Sequence, residues 1–179
     1  MKALSDRINI QRLIQEAESQ WIHWELPSRF KKGLLRPGTY AVSWDDFETK
    51  FATNDVRREL IAKMRKLAQL LGVSGCKYLY VGGSLVSSKE HPGDFDIVWV
   101  PAGVEWDRLL LVASQLLILP QAQRRDEYGG HVWMAGEEIR IMPPQYFPGV
   151  EALRLLRYNR LIGKRPVPVG VVLLDPRQA

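Results

Sequence analysis

The stretch KYLYVGGSLVSSKEHPGDFDIVWVP, residues 77–101, constrains this chain more than any other segment. An apolar run ends in Gly82-Gly83-Ser84, a polar loop follows, and Asp94-Phe95-Asp96 opens a second apolar run. The pattern predicts a strand, a tight turn, a loop and another strand. Residues two apart in a strand share a face, so Asp94 and Asp96 are expected to present two carboxylates to one spot. Two carboxylates that close repel unless positive charge lies between them. A hard cation such as Mg²⁺ (or Mn²⁺) takes one or two carboxylates together with substrate phosphates. Gly82, Gly83 and Ser84 would offer backbone N–H groups and a hydroxyl to a phosphate. Lys89, in the loop between the two motifs, is a further candidate phosphate contact. The opposing reading makes Asp94 a turn residue after Pro92-Gly93 and the glycines nothing but a turn. Asp96 resists it, because a carboxylate inside Phe95-Asp96-Ile97-Val98-Trp99 is costly to bury without a cation.

Size and composition narrow the frame. At 179 residues, one domain with a substantial core is expected. Hydrophobic residues make up 46% and charged residues 25%, as in ordinary globular chains. The longest apolar run, residues 109–119, is interrupted by Ser114 and Gln115 and is too short to span a bilayer. The first twenty residues lack the apolar core of a signal peptide, so a cytoplasmic location is expected. A single cysteine, Cys76, excludes an internal disulfide and a thiolate metal cluster. The net charge of +5 and pI near 9.4 favour anionic partners such as nucleotides or RNA. The basic residues are scattered, however, as on solvated helices.

Along the chain, Ile8, Leu13, Ile14 and Trp21 predict an amphipathic helix from Ser5 to about Trp24, stopped by Pro27. Ser43 with Asp46 three residues on predicts a capped short helix carrying Trp44, Phe47 and Phe51 inward. Asn54 or Asp55 would cap a longer helix to about Leu71, with Leu60, Ile61, Met64, Leu67 and Leu71 as its apolar stripe. Beyond the central motif, a helix is expected over residues 105–119, then two strands, 131–135 and 138–142, joined as a hairpin at Gly136-Glu137. Prolines 143, 144 and 148 make a connector, residues 151–158 a short helix, and residues 168–174 a last strand. This predicts one α+β fold, a mixed sheet flanked by helices. His131, His91 and His23 are read as packed or surface histidines, Cys76 as a small buried residue, and the six tryptophans as packing, with Trp99 the one that would flank a base.

The spacing Gly83-Ser84, nine residues, Asp94-x-Asp96 resembles that of the nucleotidyltransferase superfamily with the DNA polymerase β-like fold. The chain also resembles a small family of nucleotidyltransferase-like proteins, the DUF6932 type. Leu35, Pro37, Gly38 and Tyr40, then Trp44 and Phe47, then the paired Arg57 and Arg58, then Gly83-Ser84 and Pro92-Gly93-Asp94-x-Asp96 carry that likeness in order. Asn159-Arg160, Gly163-Lys164 and Pro168-Val169-Gly170 resemble its closing segment. The likeness covers roughly residues 34–174, which divides the chain into an N-terminal helical extension, 1–33, and a nucleotidyltransferase-like domain, 34–179.

The resemblance implies that Asp94 and Asp96 hold a divalent cation on the triphosphate of a nucleotide, cradled by Gly83-Ser84. It also implies a third carboxylate on a later strand, which activates an acceptor hydroxyl. That strand here reads Gly129-Gly130-His131-Val132-Trp133, with no acid. Glu138 is the candidate substitute if the hairpin folds it round, while Asp126 and Glu127 are expected in a loop. Two functions follow as expectations. One is transfer of a nucleoside monophosphate from an NTP to an unidentified hydroxyl, on RNA or protein. The other is a catalytically degenerate module of the same fold that binds nucleotide, RNA or a protein partner.

Overall fold

The computed structural model describes residues 22–136, 138–139, 150–151, 156–159 and 167–179. The expected helix up to Trp21, the end of the expected 138–142 strand, the proline connector and most of the expected 151–158 helix lie outside them.

Six strands form one mixed sheet in the order β1-β2-β10-β3-β4-β5. They are β1 (Ile22–His23), β2 (Gly38–Ala41), β3 (Leu79–Gly82), β4 (Phe95–Trp99), β5 (Gly130–Met134) and β10 (Gly170–Leu174). β10 lies parallel to β2 and antiparallel to β3, β3 is antiparallel to β4, and β4 is parallel to β5. The parallel step needs a long crossover. It is made by three helices, α3 (Trp106–Ala113), α4 (Gln115–Ile118) and α5 (Gln121–Tyr128). Between β2 and β3 come α1 (Trp44–Phe51) and α2 (Asp55–Val73). Two small ladders, β6 (Glu138–Ile139) with β7 (Val150–Glu151) and β8 (Tyr158–Asn159) with β9 (Val167–Pro168), stand apart from the main sheet.

Local chemistry explains the helices. The Ser43 hydroxyl accepts from the Asp46 amide at 3.1 Å, and the Asn54 side chain accepts from the Arg57 amide at 3.0 Å, as N-caps do. Phe47 and Phe51 of α1, Met64, Leu67 and Leu71 of α2, and Leu109 of α3 pack on Leu79, Val81, Phe95, Ile97 and Val172. The alternate strand residues, Tyr80, Val98, Trp133 and Val171, form a second, smaller cluster with Leu156 on the opposite face. One face is therefore covered by helices. The other carries the smaller cluster, and that is where the candidate site lies.

Four expectations are corrected. Ile22–His23 is an edge strand hydrogen-bonded to β2, not the last turn of a helix. The 131–135 and 138–142 strands do not form a hairpin, because β6 pairs with β7 and β5 pairs with β4. Glu151 and Tyr158, the two ends of the expected 151–158 helix, lie in short strand ladders, while Leu156 between them is helical. Residues 121–128, Asp126 and Glu127 included, form a helix rather than a loop, bracketed by Pro120 and by Gly129 in a left-handed cap at φ 84°. Two elements are also interrupted. The 105–119 helix divides at Ser114, and the closing strand divides at Val169, whose amide donates to the Arg157 carbonyl at 2.9 Å.

The helix-covered face carries the stability of the fold. Phe47→Ala, at a fully buried ring 4.9 Å from that of Phe51, is expected to cost about 3–5 kcal/mol. Leu111→Ala, on the exposed side of α3, is expected to cost less than about 0.5 kcal/mol. Urea midpoints of the two variants provide the comparison.

Candidate functional site

The site follows from period-two alternation in β4. Phe95, Ile97 and Trp99 point into the helix-covered core, so Asp96 and Val98 face the other way. In register with Asp96 stand Gly82 on β3 and His131 on β5. Beyond Gly82 the chain enters a short 3₁₀ turn, Gly83–Val86. Gly83 sits at φ 67°, and a Cβ there would lie 1.8 Å from Asp96 Oδ2. Only glycine lets the turn and the carboxylate approach this closely.

The two acids are not splayed apart. His131 Nδ1 lies 3.1 Å from Asp96 Oδ1 and 3.6 Å from Asp94 Oδ2, so one imidazole serves both carboxylates. Arg125 from α5 adds an ion pair to Asp94 at 2.9 Å. The hydrogen bond to Asp96 raises the His131 pKa above 6.5, with the charges of Asp96 and Asp94 adding to it against the effect of burial. The ring also stacks on Trp133, centroids 5.2 Å apart and planes 15° from parallel. His131 is thus neither a mere packing residue nor a free surface one, and it stands on the strand where a third carboxylate was expected.

These groups open on a cavity of about 650 Å³. Asp94, Asp96 and His131 form one part of its wall. The turn and loop residues Gly83, Ser84, Ser87, Ser88 and Lys89 form another, and Lys32, Leu35, Trp133, Leu156 and Val169 complete it. Gly82 is one residue too deep to take part. It lies buried in β3 beneath Leu156, whose side-chain carbon would stand 2.4 Å from a Cβ at that position. Its role is to make room, whereas Gly83 and Ser84 face the cavity.

The loop wall is tied to α2 from below. Arg57 is only 3% exposed, and its guanidinium donates to the carbonyls of Phe51, Leu85 and Lys89, the last at 2.7 Å. Asn54 donates to the Glu90 carbonyl at 2.8 Å while capping the same helix. A buried cation satisfied by three carbonyls binds the end of α1 to both ends of the segment 85–89. The second member of the arginine pair, Arg58, instead makes an exposed ion pair with Asp55.

Other sequence candidates fall elsewhere. Glu138 pairs through its backbone with Glu151 in a ladder separate from the main sheet, and its side chain lies outside the described residues. Trp99 is buried against Trp106 on the helix-covered face, so the tryptophan at the cavity is Trp133 instead. His91 is exposed beside Glu90. Cys76 is buried, its thiol pushed up to about 11 by desolvation, which makes it a packing residue rather than a nucleophile. Arg125 had not been singled out in the sequence. Its helix is polar, and only Pro120 before and Gly129 after signal it.

Among the described residues, no group of three or more His, Cys, Asp or Glu side chains is arranged to hold a metal ion by itself. Two carboxylates facing a cavity, with side chains 19% and 24% exposed, suit a hard cation that completes its shell with ligand oxygens. Among the described residues, no helix is long and apolar enough to cross a membrane.

Two outcomes follow from this geometry. Arg57→Met leaves three carbonyls without their donor and is expected to cost roughly 2–4 kcal/mol, with trypsin cleavage after Lys89 accelerated. Arg57→Lys, which keeps the charge but loses the fork, is expected to recover less than half of that loss. For His131, a pKa raised on folding means stability that is full below about pH 6.5 and is lost as pH rises through the folded value. Urea midpoints are therefore expected to fall from about pH 6 to pH 8, with a flatter profile in His131→Gln. Equal slopes in the two proteins would show that the His131 contacts contribute nothing to folding.

No curated protein matches the chain, and no solved structure does. Residues 27–170 match the profile of a family of unknown function (DUF6932), most of the chain and all of the site described above. The protein belongs to that family.

Proposed function

We propose that the protein is a nucleotidyltransferase-like enzyme, transferring a nucleoside monophosphate from an NTP to a hydroxyl acceptor on RNA or protein. The observation that carries this reading is the convergence of Asp94 and Asp96 beside the Gly83-Ser84 turn, at the mouth of a cavity large enough for a nucleotide. The superfamily that the motif resembles uses such a pair in the same strand–turn–strand setting. In the reaction, the acceptor oxygen attacks the α-phosphorus, the bond to the bridging α–β oxygen breaks, and pyrophosphate leaves.

Asp94 and Asp96 would hold Mg²⁺ or Mn²⁺, which would offset charge on the phosphates and the leaving pyrophosphate. The backbone of Gly83 and the Ser84 hydroxyl would orient the phosphates, and Lys89 would add charge from the loop. Trp133 and Leu156 supply apolar surface for a base.

A second reading has its own observation. His131 and Arg125 already compensate the two acids, and an imidazole stands where the resemblance implies a carboxylate. A catalytically degenerate module that binds nucleotide, RNA or a protein partner fits that arrangement.

The two separate in one assay. The protein is incubated with each α-³²P-NTP, Mg²⁺ or Mn²⁺, and total RNA or cell protein, with pyrophosphate release followed in parallel. Transfer is expected, and Asp96→Asn is expected to reduce it by about a hundredfold or more, since changes one step further from a metal already cost about ten- to a hundredfold. Nucleotide binding without label transfer or pyrophosphate under any of these conditions would instead establish the degenerate module.

A further inference from the structure

We propose that Lys32 is an anion-binding residue of this cavity, acting with Lys89 on the polyphosphate chain of the ligand. The ligand class rests on the nucleotidyl-transfer reading. The positively charged wall itself does not.

The starting observation is backbone conformation. Lys32 is the single non-glycine residue with positive φ among the described residues, at 52°, followed by Gly33 at 78°. Reciprocal hydrogen bonds between Lys31 and Leu34, 2.9 and 3.0 Å, close a two-residue turn around them. Turns of this kind favour Asn-Gly or Gly-Gly, because a side chain at positive φ meets its own carbonyl. A lysine here costs stability that asparagine or glycine would not. Strain of this sort gathers at ligand sites.

The turn is also fixed in place. The Ser88 amide donates to the Gly33 carbonyl at 2.9 Å, and Leu34 bridges to Ser87. Gly33 is pressed so close that a Cβ would lie 2.7 Å from Ser88 Oγ. The joint between the turn and the motif loop therefore runs through Gly33 and Ser88, with Lys32 on one side and Lys89 on the other. Both lysines line the cavity.

Charge completes the argument. Asp94 and Asp96 each have a cationic partner, whereas Lys32 and Lys89 have no carboxylate partner among the described residues. Both lysines bring positive charge to the cavity wall, and among the described residues neither is in an ion pair with a carboxylate. A polyphosphate in the cavity would supply a counter-ion, with no divalent cation required on this side.

Calorimetric titration of the full chain with inorganic tripolyphosphate in EDTA, together with thermal melts, tests this. Lys32→Gly relieves the left-handed strain, so this variant is expected to unfold at the same temperature as wild type or higher while binding roughly tenfold more weakly. Lys89→Gln is expected to weaken binding by a similar factor. Unchanged affinity in Lys32→Gly, or no binding to the wild-type protein, overturns the proposal. Each failure can be told apart. Asp96-dependent label transfer that persists while tripolyphosphate binding ignores Lys32 removes this site and keeps the transferase. Lys32-dependent binding without any label transfer keeps the anion site and removes the transferase.

Discussion

One ladder position organises the site: Gly82, Asp96 and His131, in register on three adjacent strands. β4 must put Phe95, Ile97 and Trp99 into the helix-covered core, because burying those side chains drives the packing of that face. Alternation then leaves Asp96 no choice of side. The glycine on its left removes a side chain from the same spot, and the histidine on its right brings a proton donor. A slip of one residue in β4 would bury the carboxylate and expose the aromatic rings, so hydrophobic burial and site geometry are enforced together.

The electrostatics follow from that placement. Asp94 and Asp96, two residues apart at the start of β4, would repel each other, and the fold answers with His131 between them and Arg125 on Asp94. This arrangement leaves both carboxylates partly exposed beside a cavity. It also means that a cation entering there competes with groups the protein already supplies. On the other wall, the segment 85–89 is held from beneath by a guanidinium that gives all its bonds to carbonyls, and by Asn54, which caps α2 with one atom and ties down Glu90 with another. The loop that would face a ligand is thus anchored to the helical core.

Much of this was readable in advance where the chemistry is local. The caps at Ser43 and Asn54, the stripe of α2, the strands either side of Gly82-Gly83-Ser84 and the pairing of Asp94 with Asp96 all lie within a few residues of their causes. What escaped reading depends on distant partners. His131 gains its role from an acid 35 positions away, and Arg125 from one on the far side of the crossover. α5 was missed because its residues make no apolar stripe, although proline and glycine mark its ends. Trp99 and Trp133 look alike in sequence, and only the sheet decides that one is core and the other lines the cavity.

By itself, the amino-acid sequence determined that two acids share a face, that a glycine turn precedes them, and that amphipathic helices flank the sheet. Periodicity and capping are properties of neighbouring residues, and neighbours are visible in a linear chain. Tertiary structure alone decided which cations meet those acids, that Glu138 belongs to another ladder, and that a strained lysine turn is bonded against the motif loop. Those outcomes depend on strand order and register, which arise when the whole core is buried at once.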